Sequence, residues 1–112
     1  MPYLKIQTNQ QIAGKDEIIK KASGMVAAQL GKPEKYVMVA LEPGFRMSFA
    51  GSTAPAAFLQ LKSIGLPESR TKEISSALCG FLEKELGIPK NRIYIVFEDV
   101  ERSYWGWNGS TF

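Results

Sequence analysis

The chain has 112 residues, 45% of them hydrophobic and 22% charged, with a net charge of +3 and no histidine. That length suits one domain, residues 1–112, with a real core, and the modest basic excess is spread along the chain as solvated surface charge rather than gathered into a nucleic-acid patch. Without histidine, His-based acid–base catalysis, Ser-His and Cys-His pairs and His-containing zinc sites are excluded; with one cysteine, Cys79, so are an internal disulfide and a Cys-x-x-Cys redox pair.

The chain opens Met1-Pro2-Tyr3-Leu4-Lys5-Ile6. Methionine ahead of a small residue is normally trimmed, and trimming here would free the secondary amine of Pro2, a base and nucleophile that the amide form is not. Many chains begin Met-Pro without consequence, so the dipeptide alone carries little. No secretory signal pattern precedes the first strand and no apolar run nears the ~20 residues of a membrane span. The expected setting is the cytoplasm, with no membrane partner.

Residues 3–9 alternate as a strand closed by Thr8-Asn9, and Gln10 to Gly14 connects to a helix from Lys15 to about Leu30. Ile18, Ile19, Ala22, Met25, Val26 and Leu30 form its apolar stripe. Gly31 stops it and Pro33 follows. Tyr36 to Leu41 reads as a second strand, ended by Glu42-Pro43-Gly44. Phe45 to Ala54 is loop-like, with a short extended piece at Met47–Phe49, and Phe58 to Ile64 is a third strand. Ser69 is the expected N-cap of a second helix with the stripe Ile74, Ala77, Leu78, Phe81, Leu82, Leu86; Gly87 ends it. Cys79 lies in that apolar stretch as a core residue rather than a reactive thiol. Arg92 to Glu98 is a fourth strand, and the tail from Ser103 adds a short edge strand.

The order is β-α-β twice, and a spacing of 56 residues relates the halves. Gly31 matches Gly87, Pro33 matches Pro89, Val37, Val39 and Leu41 match Ile93, Ile95 and Phe97, and Ile18, Val26 and Leu30 match Ile74, Leu82 and Leu86. The pseudo-repeats are residues 1–56 and 57–112. The expected fold is α/β (α+β): a four-stranded mixed sheet with both helices on one face. Strands 2 and 4 look apolar on both faces, with Met38 and Ala40 opposing Val37, Val39 and Leu41, and Tyr94 and Val96 opposing Ile93, Ile95 and Phe97. Such strands predict a sheet covered on its second side by another subunit.

Several short pieces recur in a known order: Met1-Pro2 with Thr8-Asn9, Gly31-Lys32-Pro33, Gly51-Ser52 ahead of Pro55, Ser63-Ile64-Gly65, Cys79-Gly80, Arg92-Ile93-Tyr94-Ile95, Gly106-Trp107-Asn108 and Ser110-Thr111-Phe112. Together they cover the chain end to end, and the chain resembles the macrophage migration inhibitory factor family of the tautomerase superfamily. The C-terminal pieces favour that branch over D-dopachrome tautomerase. The resemblance implies a homotrimeric barrel and a cofactor-independent, metal-free keto–enol tautomerase acting on phenylpyruvate-like 2-keto acids. Pro2 would be the catalytic base. Lys32 and the backbone N–H of Ile64, in the Ser63-Ile64 strand end, would hold the substrate carboxylate. Tyr94 would enter from a neighbouring subunit, and Tyr36, Trp107 and Phe112 would wall a phenyl ring. Taken singly, Lys32 reads better as a helix C-terminal cation and the aromatics as strand or tail packing; the resemblance is what favours their site roles.

The departures bear on substrate choice. Ala56 and Leu59 stand where animal members carry a Cys-x-x-Cys, so no thiol oxidoreductase activity is expected. Val96 replaces an asparagine able to meet a phenolic hydroxyl, which predicts a reduced preference for para-hydroxylated substrates. Lys62 replaces a histidine, and Trp105 replaces an aliphatic residue and is expected to narrow the pocket mouth. These changes leave a rival reading, a non-enzymatic cytokine-like interaction protein with a vestigial pocket; no sequence feature predicts a receptor.

Overall fold

The computed structural model describes all residues from Met1 to Phe112. Its elements are β1 (Tyr3–Thr8), α1 (Lys15–Leu30), β2 (Met38–Glu42), β3 (Ala57–Ile64), α2 (Thr71–Leu86), β4 (Ile93–Val100) and a terminal pair, β5 (Gly106–Trp107) and β6 (Ser110–Thr111). The first four strands form one sheet in the order β2-β1-β3-β4. Each β-α-β unit contributes a parallel pair, β1 with β2 and β3 with β4, while β1 and β3 join the units antiparallel at the centre. The helices begin 56 residues apart, at Lys15 and Thr71, and end 56 apart, at Leu30 and Leu86.

One apolar cluster lies between the sheet and the two helices. Leu4 and Ile6 of β1 and Leu59 and Leu61 of β3 meet Ala22 and Val26 of α1 and Ile74, Leu78 and Leu82 of α2. Those helical positions recur at the i, i+4 spacing that stacks side chains on one face. Burying each large aliphatic side chain contributes roughly 1.5–3 kcal/mol, and Leu4, Leu59 and Leu82 are completely inaccessible to solvent. Lys21 and Glu85 join the two helices at their exposed side, at 3.3 Å.

Four local expectations need correction. Strand β2 begins at Met38, because Glu34–Tyr36 forms a single 3₁₀ turn: the Tyr36 N–H donates to the Pro33 carbonyl and the Val37 N–H to Glu34. That turn takes Tyr36 off the sheet. Ser69 does not cap α2; it lies inside another 3₁₀ turn, Glu68–Arg70, and the Thr71 hydroxyl donates instead to the Glu68 carbonyl at 2.9 Å. Met47–Phe49 forms no strand, only an isolated bridge between Phe49 and Ser52. The tail folds back on itself as the β5–β6 hairpin rather than adding to the main sheet. Asn108 and Gly109, at φ 51 and 77, make the tight turn that Asn-Gly favours.

The second face of the sheet is not uniformly apolar. The central strands place Lys5, Gln7, Gln60 and Lys62 there between Tyr3 and Phe58, and the outer strands add Met38, Tyr94 and Val96 with Glu42 and Glu98. The open face mixes polar and apolar side chains, and its most exposed apolar ones, Met38, Tyr94 and Val96, are on the outer strands. No helix is long and apolar enough to cross a membrane.

Candidate active site

Helix α1 ends in a Schellman motif. Gly31 sits at φ 62, its N–H donates to the Ala28 carbonyl, and the Lys32 N–H reaches back to Ala27 at 3.0 Å. Lys32 is thereby fixed just past the helix end, where the dipole favours a cation. The Arg70 guanidinium donates to the Gln29 carbonyl of the same helix terminus. The chain then passes Pro33 and the 3₁₀ turn, and β2 enters beside β1: the Met38 N–H donates to the Pro2 carbonyl at 3.0 Å. The start of the chain and the end of α1 are brought together by this one parallel pairing.

At that junction lies a cavity of about 540 Å³, within the range of small-molecule sites. Met1 and Pro2 line it. Burial first, and the positive charge of Lys32 second, hold the Met1 α-amine below the usual range for a chain terminus. Tyr36, Trp107 and Phe112 form one wall. Trp107 and Phe112 stack at 5.5 Å, and Tyr36 meets both edge-on at 5.8 and 6.0 Å. The Asn108-Gly109 turn is what lays Trp107 beside Phe112. The Lys35 ammonium lies 5.2 Å from the Tyr36 ring centroid. The opposite wall is a complete row of the open sheet face, Met38, Tyr3, Lys62 and Glu98, in register across four strands.

Of the residues singled out in the sequence, the structure thus gathers Pro2, Tyr36, Trp107 and Phe112 in one cavity, with Lys32 acting on the amine beside it. Trp105 also lines it. Ser63 and Ile64 are buried at the end of β3 and do not form its wall. Val100, in register with Ile64, does, and the turn after Ile64 is tied down by the Asp99 carboxylate, which accepts the Leu66 N–H at 3.0 Å. Tyr94 and Val96 lie elsewhere, on the outer strand, 63% and 52% exposed. Tyr94 packs on Phe49 at 4.6 Å and lines a separate apolar groove. The Arg92 guanidinium holds that loop by donating to the carbonyls of Phe49, Ser52, Ala54 and Pro55.

Sequence reasoning does not find Tyr3, Met38, Glu98 and Tyr104 as wall residues. Alternation along each strand gives the face of the first three, but their convergence needs the strand order. No three His, Cys, Asp or Glu side chains gather as a metal site.

A family model described as macrophage migration inhibitory factor matches residues 1–112. A macrophage migration inhibitory factor homolog of Brugia malayi is 46% identical, over 100% of this chain and 99% of the relative. Among solved structures, a macrophage migration inhibitory factor homologue from Prochlorococcus marinus is 47% identical with a TM-score of 0.94, covering 98% of each chain. The factor from Trichinella spiralis is 40% identical with a TM-score of 0.90, covering 98% of this chain and 99% of that one. The chain belongs to the macrophage migration inhibitory factor family, within the tautomerase superfamily.

Proposed function

We propose that this chain, with Met1 removed, is a homotrimeric, cofactor-independent keto–enol tautomerase of the cytoplasm, acting on phenylpyruvate-like 2-keto acids with the Pro2 amine as base. The observation that carries this reading is the placing of the chain's amine terminus. It stands in an aromatic-walled cavity where burial and the Lys32 charge favour the neutral amine, and a proton-transfer catalyst works best with a pKa near working pH. A free α-amine starts at about 7.7–8.0, so a modest lowering suffices.

In the keto-to-enol direction, the Pro2 nitrogen takes a proton from the carbon next to the ketone. The C–H bond pair becomes the new C=C bond, the carbonyl π pair moves to oxygen, that oxygen receives a proton from solvent water, and the protonated Pro2 nitrogen gives its proton back to solvent. The reverse sequence returns the proton to carbon. Lys32 pairs with the substrate carboxylate, and Tyr36, Trp107 and Phe112 flank the ring. The family resemblance assigns a second carboxylate contact to the backbone N–H of Ile64, which lies behind the wall in register with the lining residue Val100, and the neighbouring subunit brings Tyr94 to the site. Val96 offers no hydrogen bond to a phenol, so 4-hydroxyphenylpyruvate gains nothing over phenylpyruvate.

Two variants test the base, each assayed on phenylenolpyruvate after intact-mass analysis of the terminus. Pro2→Ala lowers kcat/KM by about 10²-fold or more. An alanine inserted between Met1 and Pro2, which turns the prolyl nitrogen into an amide, does the same. Parental turnover in either variant removes Pro2 from the mechanism. Turnover by the parent no faster than buffer leaves the non-enzymatic interaction protein as the better reading.

A further inference from the structure

Resting on the tautomerase reading of this cavity, we infer that Lys62 makes it selective for 2-keto acids that carry a second carboxylate. One carboxylate is held at the Lys32 end beside the amine terminus, and the other by Lys62 at the sheet-face end.

The argument is one of charge and partners. Lys35, Lys62 and a single acidic side chain, Glu98, line the cavity, and Lys32 adds a third ammonium close enough to act on the amine. One substrate carboxylate answers one of these cations and leaves the cavity positive. A second acidic group corrects the imbalance. Lys62 is the cation best placed to receive it. It projects from central strand β3, half-buried, between Tyr3 and Glu98. Lys35 is exposed and sits over the Tyr36 ring.

Lys62 also lacks a partner of its own. The chain's ion pairs are Lys5–Glu42, Lys21–Glu85 and Arg70–Glu73. Lys5, on the same face and two residues along β1 from Tyr3, is satisfied by Glu42 at 3.4 Å. Lys62 faces Glu98 in register but forms no ion pair with it. A half-buried, unpaired ammonium in a cavity gains more from an incoming carboxylate than a solvated one does. Glu98 opposes such an anion, so its neutralisation strengthens the preference.

The test compares the enols of phenylpyruvate and 4-carboxyphenylpyruvate, substrates with the same reacting atoms. The parent favours the diacid in kcat/KM by about tenfold, the size of one charged hydrogen bond. Lys62→Met brings that ratio to about one through KM, Lys62→Arg restores it, and Glu98→Gln raises it. Binding is also read without turnover. Both tryptophans of the chain, Trp105 and Trp107, line the cavity, so quenching of their fluorescence by 4-carboxycinnamate and by cinnamate gives two affinities. A Lys62-dependent preference for 4-carboxycinnamate upholds the inference even where neither enol is turned over, an outcome that sinks only the tautomerase reading. Equal affinities in the parent, or a preference that survives in Lys62→Met, overturn it even where turnover is brisk.

Discussion

Lys32 stands two residues past a helix end and beside a chain terminus, and its charge has two distinct effects there. In the proposed reaction it attracts an anionic substrate, and it makes protonation of the amine less favourable. The sign matters for rate. The base must be neutral to accept a proton, so kcat/KM rises as pH passes upward through the amine's pKa. Lowering that pKa extends full activity to lower pH. With Met1 gone, the Pro2 amine is expected to meet the same two causes, since Pro2 lines the same cavity and is almost completely buried. The expected pH–rate profile therefore has its lower inflection below the usual α-amine range of about 7.7–8.0. Lys32→Met moves that inflection upward but only part of the way, since burial is the larger cause. It also raises KM, because the carboxylate contact is lost. An inflection that stays in place would mean that the Lys32 charge is not felt at the base.

At the scale of elements, α1 offers two glycines with opposite expectations. Gly24 lies within the helix, and Gly31 ends it at φ 62; at neither would an added Cβ meet another atom within 4 Å. Steric contact thus drops out and backbone conformation decides. Gly24→Ala stabilises the fold by about 0.5–1 kcal/mol, the difference in helix propensity. Gly31→Ala destabilises it by about 1 kcal/mol, because alanine in the left-handed region costs ~1–2 kcal/mol, partly offset by a less flexible unfolded chain. Urea midpoints moving in opposite directions at unchanged slope are the check. This stop was legible in the sequence because the Gly-x-Pro ending recurs after both helical stripes. The helices and the strand parity were legible for the same reason, each being written in a local period, whereas the grouping of Tyr36, Trp107 and Phe112 came from the family resemblance and not from any local pattern. Tyr36 was misplaced onto a strand because Tyr36–Leu41 has strand composition, whereas the 3₁₀ turn depends on two backbone bonds at the Pro33-Glu34 corner. The Met38–Tyr3–Lys62–Glu98 wall was not legible at all. It exists only because β1 and β3 meet antiparallel at the sheet centre, a pairing between residues far apart in sequence that no local pattern encodes.

For the whole molecule, the distribution of polarity on the open sheet face decides where copies of the chain would meet. A face apolar throughout would call for a flat cover. This one carries Lys5, Gln7, Gln60 and Lys62 on its two central strands and can remain wet, as the inner surface of a ring can. Its most exposed apolar side chains lie instead on the two edge strands, with Met38 65% exposed on β2 and Tyr94 and Val96 exposed on β4. Edge strands also present unpaired N–H and C=O groups, which invite pairing with another chain. Two different edges meeting head to tail generate a ring when the rotation closes, and the proposed homotrimer is such a ring. The same contact would carry Tyr94 from one subunit toward the cavity of the next. Assembly and activity should therefore fail together. The parent is expected to sediment at about three times its 12.4 kDa chain mass. Val96→Arg places a charge in the contact at a position already open to solvent in the single chain, so the fold survives, with an unchanged far-ultraviolet circular dichroism spectrum. Its mass falls toward that of one chain, and phenylenolpyruvate turnover falls with it by about tenfold or more, the scale of losing one substrate contact. A parent that sediments as a single chain at micromolar concentration, yet turns over substrate, would show that one subunit completes the site alone and that the exposed edges serve some other contact.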